Sequence, residues 1–149
     1  SVSFAGYARL NQRQTVITAG QNLKNIIRDA QSRANNNELD CTPGKCNCDL
    51  ATDIQFSGWY VDFTTQKIYG QCAATTFNDK DFGLSTEVVI TPYVTPANQM
   101  IFKNNPPSVS GKSTICVSNP NLSSSYYVIR VNESGSISDD GGLVSSCTP

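Results

Sequence analysis

The sequence contains no histidine. Histidine titrates nearest neutrality and is the commonest transition-metal ligand, so its absence removes every Ser-His-Asp and Cys-His arrangement and the usual general base. With 15% of its residues charged and 38% hydrophobic, the composition is that of an ordinary globular protein, which excludes a disordered or coiled-coil chain. Eleven basic and twelve acidic residues leave a net charge of −1, so the whole molecule is not a polycation built for nucleic acid. The given chain has no run of about 20 apolar residues and no charged stretch followed by a short apolar run, hence no spanning helix and no secretory leader within it. Neither G-x-G-x-x-G nor G-x-x-x-x-G-K-[ST] occurs; Ser110-Gly111-Lys112-Ser113 echoes only the end of the second. An enzyme is therefore the least favoured class, and no cofactor or metal is expected.

What is present fits one domain. A chain of 149 residues, 38% of them hydrophobic, buries roughly 70% of its unfolded surface. Six cysteines are unusual at this length: Cys41, Cys46, Cys48, Cys72, Cys116 and Cys147. Their spacing does not repeat C-x₂-C and no histidine completes a metal site, so disulfides are the expected use, with an oxidising, extracytoplasmic location. Six cysteines permit about fifteen pairings. Cys116 ends an expected strand and Cys147 lies near the C-terminus, which favours a bridge clipping the closing hairpin and tail to a sheet. Cys46 and Cys48 are too close to pair without strain. One arrangement joins the 41–48 loop both to itself and to Cys72.

Val16, Ala19, Leu23, Ile26, Ile27, Ala30 and Ala34 recur at i+3 and i+4, the apolar stripe of an amphipathic helix. No proline interrupts residues 1–42, and Asn35-Asn36-Asn37 is the first break. The pattern predicts one helix over 4–34, with Leu23, Ile26, Ile27 and Ala30 packed on a sheet face and the first turns less covered. Ser1 is not a methionine and the helical pattern is already running there, so an upstream segment is expected. Residues 1–34 carry five bases against Asp29 alone, a net of +4, whereas 35–149 carry six bases and eleven acids, a net of −5. A basic stem could touch lipid or nucleic-acid phosphates. A solvated helix face, pairing with acidic neighbours in an assembly, is the plainer reading.

A polar, cysteine-bearing loop over 35–53 follows, with Pro43-Gly44 as turn chemistry. Beyond residue 54 the pattern changes to period 2, predicting strands at 59–63, 67–70, 87–91, 99–102, 113–117, 126–131 and 136–138. One long helix followed by short antiparallel strands is an α+β layout, a helical stem (1–34) and a β-rich head (35–149) within a single domain. Asp79, Asp81, Asp139 and Asp140 could form a glycosidase-like pair, and Asp139-Asp140-Gly141-Gly142 could supply oxygens to a calcium ion. Their turn-like contexts favour loop solubilisers, and the spacing is not that of D-x-[DN]-x-[DN]-G. Trp59, Tyr60, Tyr126 and Tyr127 could stack a ligand, but alternation places about half of them in the core. The sequons at Asn121 and Asn132 are too common to weigh.

The pieces together resemble the type IV pilin and pseudopilin superfamily. Phe4-Ala5-Gly6-Tyr7-Ala8-Arg9 resembles the stretch where a pilin helix leaves the membrane, and residues 21–34 resemble the half packed on the head. Gly58-Trp59-Tyr60-Val61-Asp62-Phe63, Met100-Ile101-Phe102 and Thr114-Ile115-Cys116 are similar to strands of GspH/FimT-like minor pilins. The stretch from Tyr127 to Ile137 resembles their closing hairpin, except that Ser136 stands where their turn has Arg. The resemblance implies a structural subunit of a type IV pilus, a type II secretion pseudopilus or a DNA-uptake pilus. Its implied partners are other pilin-like subunits, met through the N-terminal helix, and the inner membrane, met through an apolar segment before Ser1. The alternative is a filament-tip module capturing DNA or a surface ligand; the acidic head disfavours DNA.

Overall fold

In the computed structural model the described residues are 4–36, 38, 58–72, 75–95, 97–104 and 107–149. Helix α1 runs Phe4–Asn35, about 48 Å at 1.5 Å per residue. Its buried residues are Val16, Ala19, Gly20, Leu23, Ile27, Ala30 and Ala34, spaced at three, four or one so that they form a single stripe. Ile26 is partly buried and packs against the same core. Arg33 in the last turn complements the negative end of the helix dipole.

Among the described residues nine strands follow: β1 (Gly58–Asp62), β2 (Lys67–Cys72), β3 (Thr75–Asp81), β4 (Val89–Tyr93), β5 (Gln99–Asn104), β6 (Pro107–Val109), β7 (Ser113–Ser118), β8 (Tyr126–Val131) and β9 (Ile137–Val144). They form two sheets, ordered β3-β2-β1-β5-β6 and β4-β7-β8-β9, and every pairing is antiparallel. The protein is therefore α+β. The expectation of one sheet under the helix is corrected: α1 touches β1, β2 and β5 of the first sheet and β7, β8 and β9 of the second. Period-2 alternation assigns a side chain to a face, but it carries no information about which strands share a sheet.

A single core joins the helix and the two sheets. Val16, Leu23, Ile27 and Ala30 of the helix meet Trp59, Val61, Ile68, Met100 and Phe102 of one sheet. Ile115, Val117, Tyr127, Ile129 and Val131 come from the other. Trp59 and Phe77 pack edge to face, with ring centroids 5.7 Å apart.

Several boundaries differ from those read in the sequence. Strand β3 was not anticipated because only Phe77 of its seven residues is buried, the rest being polar or charged. It is an edge strand with an irregularity between the Ile68 and Gly70 pairings. Asn78 sits there in the left-handed region, at φ 51°, which asparagine tolerates better than most residues. Strand β9 is longer than expected. The stretch Asp139-Asp140-Gly141-Gly142, read as an acidic turn, lies inside it as a bulge opposite Tyr127 and Ile129. Gly141 (φ 79°) and Gly142 (φ 150°) supply the conformations a side chain would resist. Strand β4 includes Pro92, tolerated because β4 is an edge.

Cys116 and Cys147 form a disulfide with Cα atoms 6.1 Å apart. Cys116 lies in a row with Thr91 and Val128 on the face turned away from α1. Both Cys116 and Val128 are nonetheless buried. The bridge thus ties the C-terminal tail to the outer face of the second sheet. Cys72 is also disulfide-bonded; Cys41, Cys46 and Cys48 lie outside the described residues.

Two stability outcomes are expected. Ile27→Asp places an unpaired carboxylate in the core and should cost about 3 kcal/mol or more in urea denaturation, whereas the exposed Asn25→Asp should change little. The double variant Cys116→Ser/Cys147→Ser frees a loop of 31 residues' separation, and should lower stability by about 3 kcal/mol.

Candidate functional site

Three polar contacts stitch α1 to the second sheet along its length. Near the stem the Arg13 guanidinium reaches Ser125 Oγ at 3.5 Å. At mid-helix Lys24 Nζ donates to Asp139 Oδ2 at 2.7 Å. Near the helix end Gln31 Nε2 donates to the Gly135 carbonyl at 2.6 Å. Residues 13 to 31 thus meet residues 125 to 139 in ascending order up to Tyr127, then on the returning hairpin.

The middle contact is the most developed. Tyr127 Oη also donates to Asp139 Oδ2, at 2.7 Å, and the Gly141 amide donates to Oδ1 at 2.8 Å. The Lys24 hydrogen bond, then those from Tyr127 and Gly141, hold the Asp139 carboxyl down at about 2. Burial, followed by the hydrogen bond to Asp139, pushes the Tyr127 phenol up to about 12. Gly20 permits this geometry, because a Cβ there would run into the Tyr127 ring.

A second network lies on the outer face of the first sheet. Asp62 Oδ1 accepts from the Thr64 and Thr65 amides at 2.9 and 3.1 Å, and Oδ2 accepts from Gln99 Nε2 at 3.0 Å. Burial works to raise the Asp62 pKa, but the Gln99, Thr65 and Thr64 hydrogen bonds outweigh it and leave the carboxyl below its usual value. Beside it Tyr60 stacks on Tyr69, centroids 5.2 Å apart, and burial raises both phenols. At the helix end Arg33 pairs with Asp29 and Glu38, and its guanidinium lies 5.0 Å from the Trp59 ring centroid. Trp59 Nε1 donates to the Glu38 carbonyl at 3.0 Å.

Each of the four carboxylates considered for a catalytic pair is taken up by a cation. Asp79 and Asp81 both face Lys67; Asp139 serves Lys24, and Asp140 faces Arg130. Each has a cation at hand and an architectural task. Asp139 is more than the loop solubiliser it resembled in sequence. Its partner Lys24 lies 115 residues away, and no local pattern announces such a pair. Of the aromatics, Trp59, Tyr60 and Tyr127 are buried and Tyr126 is partly exposed, so none forms an open stacking platform.

Among the described residues no group of three or more Cys, Asp or Glu could hold a metal ion. A shallow groove of about 230 Å³ lies between α1 and the loop after β3, lined by Gln14, Thr18, Asn22 and Leu84 among others. It contains no charged or nucleophilic cluster. The described surface offers instead a stem: Phe4, Tyr7 and Leu10 are exposed at 87%, 65% and 64%, flanked by Arg9 and Arg13. No described helix is long and apolar enough to cross a membrane. Neither a protein-family model, nor a curated protein, nor a solved structure matches this chain.

The Asp139 cluster makes a pH dependence expected. A carboxyl held near 2 contributes stability that is present above the unfolded value near 4 and is lost as pH falls from about 4 towards 2. Asp139→Asn should remove on the order of 1–2 kcal/mol at pH 6 and flatten that part of the acid limb, as read from urea midpoints across pH 2–6.

Proposed function

We propose that this chain is a structural subunit, a pilin or minor pilin/pseudopilin, of an extracytoplasmic filament of the type IV pilus or type II secretion kind. One observation carries the reading. A single 32-residue helix is buried on a β-rich head over its C-terminal two-thirds and exposes aromatic and aliphatic side chains over its first turns. A soluble domain rarely leaves such side chains on a projecting helix unless something else covers them. An apolar segment upstream of Ser1 would anchor the subunit in the inner membrane and later pack inside the filament. The helix then splints that segment to the head, and the two sheets face outward. No reaction is needed for such a role, which suits a chain without histidine. The disulfides suit the oxidising side of the membrane.

The exposed Arg9 and Arg28 on the helix favour one second reading, a tip subunit that captures DNA. Two facts weigh against it. Lys24 and Arg33 are engaged within the molecule, and the head carries net −5.

The subunit reading expects that the gene encodes, before Ser1, a prepilin-type cleavage site followed by an apolar run, and that antibody to the head labels cell-surface filaments. A conventional secretory leader or a soluble upstream domain would sink it. In electrophoretic shift at about 150 mM salt the chain should leave duplex and single-stranded DNA unshifted; a salt-dependent shift would favour the capture module.

A further inference from the structure

Among the described residues the exposed large hydrophobic side chains fall into two patches only. One is the stem, Phe4, Tyr7 and Leu10; the other is β4, where Val89 and Tyr93 are exposed at 45% and 39%. On β4 exposed and covered residues alternate. Ile90 turns inward to the core, while Val89, Thr91 and Tyr93 share the outward face. This strand is the edge of its sheet.

The charges of the two patches are opposite. Arg9 and Arg13 flank the stem, and the segment 1–34 is net +4. The exposed Glu87 precedes β4 in a head of net −5. The cation on that face, Arg130, bonds Thr114 opposite Tyr93 and is matched by Asp140. Two stems placed side by side would set arginine against arginine, whereas a stem laid on β4 sets arginine against glutamate.

Resting on the reading of the chain as a filament subunit, we propose that β4 is the receptor for the stem of a second copy. Tyr7 and Leu10 of one copy pack on Val89 and Tyr93 of the next, with the exposed Arg9 facing Glu87. The contact is heterologous, donor surface and acceptor surface being different parts of the chain. Such a contact need not close and can repeat without limit, as a filament requires. Each patch is small, so a single contact is weak and gains strength from repetition.

The test replaces Tyr7 with the photo-crosslinker p-benzoylphenylalanine in the full 149-residue chain and maps crosslinks at high protein concentration. The expected result is an intermolecular crosslink into the peptide holding residues 87–93. Val89→Glu should reduce it at least fivefold, and so should Glu87→Arg; Arg9→Glu should restore it in the Glu87→Arg background. These side chains are exposed, so unchanged melting curves confirm that the variants fold. A crosslink from stem to stem overturns the β4 receptor and leaves the filament reading standing. Crosslinking only to added phosphatidylglycerol vesicles overturns it in favour of a lipid surface. No intermolecular crosslink overturns it as well, while labelling of surface filaments by antibody judges the filament reading separately.

Discussion

The ring of Tyr127 fills the space that a side chain at Gly20 would need, and much of the structure follows from that exclusion. Glycine inside a helix costs roughly 1 kcal/mol relative to alanine. Here the cost is offset by close approach, since α1 can lie directly on β8. With the ring held there, its hydroxyl reaches Asp139 on the neighbouring strand. Asp139 is in turn placed to receive Lys24, one helical turn beyond Gly20. The bulge at Gly141 and Gly142 completes the set by turning an amide onto the same carboxylate. A small residue on the helix, an aromatic on one strand and a bulge in the next are thus one device. It sets the height of the helix above the second sheet.

The same helix has two characters. From Val16 onward its apolar stripe is enclosed between the inner faces of both sheets. Before that Phe4, Tyr7 and Leu10 are exposed. Polar contacts follow the enclosed part, from Arg13 to Arg33. The folded unit can therefore be stable by its own core while presenting a stem whose chemistry is unsatisfied. That division between a self-sufficient head and an incomplete stem is what an assembling subunit would have.

The helix is legible in the sequence because its stripe is long and uninterrupted; α1 ends at Asn35, where the run of asparagines begins. Strands with alternating β-branched and aromatic residues, such as β7 and β8, are legible for a similar reason. Strand β3 is not, since an edge strand with one buried phenylalanine looks like a loop. Partition into two sheets is not legible either, because both present the same alternation to the helix. The role of Gly20 is not legible, as nothing local distinguishes a glycine that admits a ring from one that merely weakens a helix. The Lys24–Asp139–Tyr127 cluster combines residues from three elements and becomes visible only once those elements are packed. The bridge from Cys116 to Cys147 is expected from a cysteine at the end of a strand and one in the tail; the bridge forms, but Cys116 lies inside β7, paired on both sides.

The order of contacts along α1 has a mechanical consequence. Arg13 meets Ser125, Gly20 meets Tyr127 and Lys24 meets Asp139, so helix and β8 run in the same direction. Tension applied at the N-terminal end of the helix slides it along the sheet. Anchors at both ends and in the middle then bear the load together, where a peeling geometry would break them one at a time. The C-terminal tail cannot be stripped first, because a covalent bond holds it to β7. Resistance to a pull is set by the rate of unfolding rather than by equilibrium stability, and this arrangement places the strongest resistance along the axis of the helix.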